Sequence, residues 1–228
     1  MKISEIFYSV QGEGVLAGVP SVFVRTSGCN LRCAWCDTPY TSWSPEGTEM
    51  SIAEILAEVR QHPAARHVVV TGGEPMIQPA IGDLTRALHD AGLHITIETA
   101  GTVWADVACD LMSISPKLAN STPRERDAGR WVATHDRLRL QPDVLRRLIA
   151  AFEYQLKFVI ADPADMEEVE SLIAALNADR SRVVLMPEGI DAGTLAKRSH
   201  WLVEICKTRG FRFSPRLHVM IWGNRRGV

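Results

Sequence analysis

Apolar residues along the chain fall into two alternating patterns. Short continuous runs, Val68-Val69-Val70 the plainest, are separated by stretches whose apolar positions recur with a helical period. The runs predict strands over Ser21–Thr26, His67–Gly72, His94–Thr99, Leu111–Pro116, Tyr154–Ile160, Arg182–Pro187 and a last one near Leu217–Trp222. Their continuity suits parallel strands covered on both faces. The periodic stretches predict helices with readable ends. Ser51 and Glu54 form a capping-box pattern, followed by one stripe of Ile52, Ile55, Leu56 and Val59. Ile81, Leu84 and Leu88 make a second stripe, with Gly92 placed to end it. Asp162-Pro163 predicts the start of a third helix, striped by Met166, Val169, Ile173 and Leu176.

Strand–helix alternation implies a parallel sheet with right-handed crossovers. A closed eight-fold barrel takes about 250 residues, whereas this chain has 228 residues and only six or seven predicted strands. The expected fold is therefore α/β, an incomplete, open βα barrel of about six parallel strands. No linker marks a second domain, so residues 1–228 read as one. The polar stretch 118–140 shows little periodicity and reads as a surface insertion, and 212–228 as a C-terminal strand and tail.

Composition narrows the function. Apolar residues make up 46% and charged residues 23%, ordinary values for a globular chain. A net charge of −2 gives no general pull toward polyanions, so no nucleic-acid partner is expected. No apolar run reaches the roughly 18 residues of a membrane span, and Met1-Lys2-Ile3-Ser4-Glu5 lacks a secretion signal. A cytoplasmic protein without a membrane partner is expected. Of five cysteines, three cluster at Cys29, Cys33 and Cys36, while Cys109 and Cys206 stand alone. In a reducing compartment such a cluster points to metal or catalysis rather than to bridges.

The triad has a C-x3-C-x2-C spacing directly after a predicted strand. Thiolates select iron–sulfur clusters, Zn²⁺ or Cu(I) over hard cations. A [4Fe–4S] cluster of the electron-transfer kind takes four cysteines, so three leave one iron without a protein ligand. That corner suits the amine and carboxylate at the methionine end of S-adenosylmethionine. The alternative is a structural zinc site completed by another cysteine or a histidine, but zinc folds show two separated ligand pairs and no second pair exists here.

On these residues the chain resembles the radical S-adenosylmethionine superfamily, whose hallmark is this spacing after the first barrel strand. Thr71-Gly72-Gly73-Glu74-Pro75, behind the strand His67–Val70, is similar to the glycine-rich motif of that superfamily, where the backbone approaches the methionine ammonium. The resemblance implies S-adenosylmethionine contacts from Trp35, Cys36, Asp37, Gly72, Gly73, Glu74, Glu98, Ser115, Pro116, Lys117, Met186 and Pro187. Glu98 and Ser115-Pro116-Lys117 sit at predicted strand C-termini, where α/β sites gather. Met186-Pro187-Glu188 stands where close relatives carry Gln-Pro, which puts a side-chain contact to adenine in doubt.

Within the superfamily, Val10-Gln11-Gly12-Glu13-Gly14, Arg25 and the tail from Arg216 to Arg226 are similar to the 7-carboxy-7-deazaguanine synthase family over most of the chain. The resemblance implies a lyase that converts 6-carboxy-5,6,7,8-tetrahydropterin to 7-carboxy-7-deazaguanine with loss of ammonia, on the route to 7-deazapurines such as queuosine. It implies substrate contacts from Val10, Gln11, Gly12, Glu13, Arg25, Thr71 and His218, with Arg25 gripping a carboxylate. Thr38 is implied as a ligand of Mg²⁺, and Glu13 or His218 as a proton carrier. His218 is expected on a strand, and Arg225 and Arg226 in a solvated terminus. The implied partners are a small pterin, an external electron donor of the flavodoxin or ferredoxin kind, and a second copy in a homodimer. The rival reading is a glycyl-radical enzyme activating protein, which shares the cysteine spacing but acts on a protein loop.

Overall fold

The computed structural model describes residues 1–228 in full. In chain order the elements are β1 (Lys2–Val10), β2 (Pro20–Thr26), α1 (Pro39–Ser42), β3 (Thr48–Glu49), α2 (Ile52–Arg60), β4 (His67–Gly72), α3 (Ile81–Asp90), β5 (His94–Thr99) and β6 (Leu111–Ile114). They continue with α4 (Val132–Leu138), α5 (Pro142–Ala151), β7 (Tyr154–Ile160), α6 (Asp165–Leu176), β8 (Val183–Pro187), α7 (Ala192–Arg209), β9 (Arg212–Phe213) and α8 (Leu217–Trp222).

All nine strands form one sheet in the order β3-β1-β2-β4-β5-β6-β7-β8-β9. From β2 to β9 every pairing is parallel, and β1 runs antiparallel to both β2 and β3. The two outer strands do not pair, so the sheet curls into an open barrel, as the strand count predicts. No helix is long and apolar enough to cross a membrane.

Side chains alternate across the sheet with period two. Val22, Val24, Val68, Val70, Ile95, Ile97, Met112, Ile114, Leu156, Phe158, Val183 and Leu185 point outward into one core of 34 buried residues. The helices supply the other half: Ile55 and Val59 from α2, Leu84 and Leu88 from α3, Leu145 and Leu148 from α5, Val169 and Ile173 from α6. The capping box on α2 forms as expected, with Ser51 accepting from the Glu54 N–H and Glu54 from the Ser51 N–H. The intervening strand residues face inward, and several are polar: Arg25, Thr71, Glu98, Ser113, Gln155 and Lys157. The strands are thus only half apolar in function.

Four expectations are corrected. Leu217–Trp222 is a helix rather than a strand, because Arg212–Phe213 already takes the place beside β8. A six-residue apolar run does not tell helix from strand by periodicity. The antiparallel strand β1 was not expected at all. The helix of Met166 begins at Asp165, since the Asp165 carboxylate binds the N–H groups of Ala161 and Asp162 and holds them in a turn. The stretch 118–140 also carries regular structure in α4, with His135 buried at 1% exposure.

The open seam is bridged by the turn between β1 and β2. Gly14 N–H donates to Ser214 Oγ at 2.7 Å, and Val15 N–H to Gln155 Oε1 at 2.9 Å. A side chain at Gly14, whose φ is +72°, would strike Gln155. The Gln-Gly-Glu-Gly segment therefore crosses the barrel and seats on the strands of the far edge.

Candidate active site

Inside the curl lies a cavity of about 540 Å³. At one end are the three thiols, carried on the loop after β2. Cys33 is buried with Leu31 and Ala100 in a small apolar cluster, against which Cys29, Cys36, Trp35 and Leu138 pack. Burial pushes the Cys29 and Cys33 thiols up to about 12, so metal loading must displace their protons. Cys36 Sγ lies 3.2 Å from Ser42 Oγ. No disulfide forms, and neither Cys109 nor Cys206 lines the cavity.

No three Cys, His, Asp or Glu side chains converge closely enough to hold a single metal ion. A tetrahedral zinc needs its sulfurs at about 2.3 Å from one centre, whereas a multi-iron cluster holds its thiolates farther apart. The donor set, three thiols in an apolar niche open to the cavity, fits a [4Fe–4S] cluster with one uncovered iron.

The glycine-rich motif meets this loop from the end of β4. Gly72 has φ +150°, and a Cβ on Gly73 would stand 2.3 Å from the Gly28 carbonyl and 2.7 Å from Cys29 Cβ. Only glycine permits that approach. Glu74 turns away: fully buried, its carboxylate accepts from Thr99 Oγ1 and Ala100 N–H at 2.8 Å and from Met76 N–H at 3.1 Å. It ties the end of β4 to the end of β5 and does not reach the cavity. Pro116 and Pro187 also lie outside the lining.

The rest of the sequence-derived set faces one space: Val10, Gln11, Gly12, Glu13, Arg25, Trp35, Asp37, Thr38, Thr71, Gly72, Gly73, Glu98, Ser115, Lys117, Met186 and His218 all line it. Lys117 Nζ folds back to Ser115 Oγ and its carbonyl, both at 2.8 Å. Thr38 occupies the N-cap position of α1, yet its hydroxyl makes no cap bond. His218 is on α8, packed so closely on Gly12 that any Cβ there would collide with Nδ1.

A chain of mostly buried charges runs through the cavity from the Gln-Gly-Glu-Gly turn to the residue after Cys36. Glu13 pairs with Lys157 and, at 3.0 Å, with Arg216, which also pairs with Asp37 and donates to the Gly189 carbonyl at 2.6 Å. Burial alone would raise the Glu13 and Asp37 carboxyls, but Lys157 and Arg216 hold Glu13, and Arg216 holds Asp37, below the usual carboxylate range. Burial lowers His218, leaving the imidazole neutral near pH 7. Glu98 accepts from Gln11 Nε2 at 3.1 Å and from Thr71 Oγ1 at 2.8 Å.

Arg25 donates to Glu5 at 2.7 Å, and Tyr40 donates to the same carboxylate at 2.9 Å. Arg225 and Arg226 are exposed, as expected of a solvated terminus, but Arg226 is not free: it pairs with Glu5 and Glu46 and lies 4.1 Å over the Tyr40 ring. Lys157, Arg216, Glu5 and Tyr40 were not foreseen. A lysine within the apolar run of β7 was the available signal for the first; the others carry no local mark.

A curled parallel sheet presenting three thiols on the loop after its first parallel strand places the chain in the radical S-adenosylmethionine class, and the family profile described as Radical SAM superfamily matches residues 23–157. With that class come the [4Fe–4S] cluster and S-adenosylmethionine. The chain belongs to the 7-carboxy-7-deazaguanine synthase family: it is 47% identical to the synthase of Halobacterium salinarum over 98% of its own length and 91% of that protein. It is 45% identical to the synthase of Rhodopirellula baltica over 99% and 88%. The crystal structure of QueE from Escherichia coli superimposes with TM-score 0.73 at 29% identity, covering 95% of this chain and 94% of that one.

Proposed function

We propose that the chain is a 7-carboxy-7-deazaguanine synthase, converting 6-carboxy-5,6,7,8-tetrahydropterin to 7-carboxy-7-deazaguanine with loss of ammonia. The observation that carries this reading is near-full-length kinship joined to one cavity lined both by the three thiols and by a set of polar and charged side chains. Cys29, Cys33 and Cys36 would hold the cluster, which with S-adenosylmethionine would supply one-electron radical chemistry.

The residues of the chain bind, orient and exclude water. Gly72 and Gly73 bring backbone against the thiol loop, leaving room for the methionine end of the cofactor beside Ser115 and Lys117. Trp35, Asp37 and Met186 border the same side. Gln11, Glu13, Glu98 and Thr71 offer donors and acceptors to the pterin edge, with Val10 and Gly12 shaping the wall. Arg25 faces the substrate carboxylate. Thr38, its hydroxyl free of a cap bond, offers an oxygen to Mg²⁺, which keeps waters and needs few protein ligands. The neutral His218, near the Glu13 charge, is placed to carry a proton.

A glycyl-radical activating role is not favoured, because the near-full-length relatives are 7-carboxy-7-deazaguanine synthases. One continuous core from Ile3 to Phe211 supports residues 1–228 as one domain, and five unpaired thiols support a cytoplasmic setting. The exposed apolar residues Ile190, Met220, Ile221 and Trp222 support a homodimer, which light scattering tests. Anaerobic incubation of reconstituted enzyme with the carboxypterin, S-adenosylmethionine, Mg²⁺ and dithionite is expected to yield the deazapurine. Cofactor cleavage without that product defeats the assignment.

A further inference from the structure

Most of the thiol loop is buried or half-buried, and one residue of it is exposed. Ala34, between Cys33 and Trp35, is exposed, whereas the thiols are otherwise walled by Leu31, Ala100 and the cavity. Around Ala34 stand cations on aromatic platforms. Arg126 lies 4.0 Å over Trp43 and donates to the Ala34 carbonyl at 3.4 Å. The Trp43 indole donates to the carbonyl of Cys33 at 3.1 Å. Arg32 lies 4.7 Å over Trp131, and Arg130 lies 5.6 Å from the same ring.

These three guanidinium groups have no carboxylate partner; the ion-paired arginines are others. Five arginines and three acidic residues fall between Arg124 and Arg139, in a chain of net charge −2. Arg139 is ion-paired with Asp136 and Glu168, and Asp127 accepts from the Trp131 indole at 3.1 Å while keeping its own charge. Three guanidinium groups without ion partners, set against the nearby charge of Asp127, thus gather beside the exposed Ala34.

We propose that this face is where an acidic electron-carrying protein docks to reduce the cluster. The inference rests on the cluster chemistry proposed above, which requires an outside electron. One electron leaves the carrier and enters the cluster; no proton or group moves. Complementary charge steers such encounters and sets register, and its effect fades with salt. Arginine and tryptophan also suit single-stranded RNA, but base stacking needs open indole faces, and here a guanidinium lies over Trp43 and another over Trp131.

The test compares two reductants on the reconstituted holoenzyme, reading 5′-deoxyadenosine as well as deazapurine. Arg124→Glu/Arg130→Glu changes two exposed side chains that line no cavity. With a reduced acidic flavodoxin, the variant is expected to raise the KM for flavodoxin about three- to tenfold at low ionic strength, the gap closing at high salt. With dithionite it should match the parent. An unchanged flavodoxin KM, or an equal loss with both reductants, overturns the proposal, as does a variant that loses only binding to a single-stranded RNA oligomer. Failure of the synthase assignment reads differently: deazapurine is absent with either reductant while 5′-deoxyadenosine still reports docking.

Discussion

Glu13 shows how a single side chain takes its chemistry from its neighbours. Buried between Lys157 and Arg216, it stays ionised although burial alone would neutralise it. A carboxyl depressed by folding stabilises the fold fully above its ordinary value near 4.5, and that contribution is lost as pH falls below it. Lys157→Met leaves the carboxylate short of one buried cation. Urea unfolding of the apo chain at pH 7 is expected to show a loss of about 2–4 kcal/mol. Because the Glu13 value then rises, the further loss on acidification should be smaller than in the parent. At Thr38 the prediction concerns the metal. Thr38→Ala should raise the Mg²⁺ needed for half-maximal product formation about tenfold or more, while Thr38→Ser keeps the hydroxyl and the parent value.

At the scale of elements, α4 reaches into the thiol loop. His135 Nδ1 accepts from the Arg32 N–H at 3.2 Å, so Nε2 carries the hydrogen and faces Ser121 Oγ at 2.9 Å. Burial lowers the imidazole to about 4, which keeps it neutral in this role. His135→Asn preserves an acceptor near Nδ1, whereas His135→Gln leaves the Arg32 N–H without a partner, at a cost of about 1–3 kcal/mol. Iron and sulfide content after anaerobic reconstitution should therefore fall in the glutamine variant and hold in the asparagine one; the reverse order refutes the contact.

Much of this layer was legible beforehand. The parallel strands and the α2 capping box follow from local spacing and apolar runs, and the two cofactor motifs from the resemblance to the superfamily. Lys157 and Gln155 were hidden because β7 reads as uniformly apolar when run length is weighed above alternation; their inward position depends on the sheet curling. Arg226 looks like any terminal arginine until Tyr40 and Glu5 are brought beneath it from residues far away in sequence. The helix at Leu217–Trp222 was misread because a short apolar run suits either element, and only the paired sheet shows Arg212–Phe213 taking the place beside β8.

Across the whole molecule, closure depends on the β1–β2 turn rather than on strand pairing. Gln155 accepts from Val15 N–H and donates to Ser113 Oγ at 2.7 Å, pinning that turn across the gap. Gln155→Leu is expected to speed amide exchange through residues 12–18 and to raise KM for the pterin more than it lowers kcat. Unaltered exchange there would show that the turn is held by other means.

The same arrangement bears on how such an enzyme changes over time. One wall of its reaction chamber is a turn and a tail, while the face proposed to admit electrons lies on a different stretch of chain. Substitutions in the turn can retailor which ring is accepted without disturbing either the parallel strands or the reducing partner. Selectivity and power supply are thus separately adjustable on one scaffold.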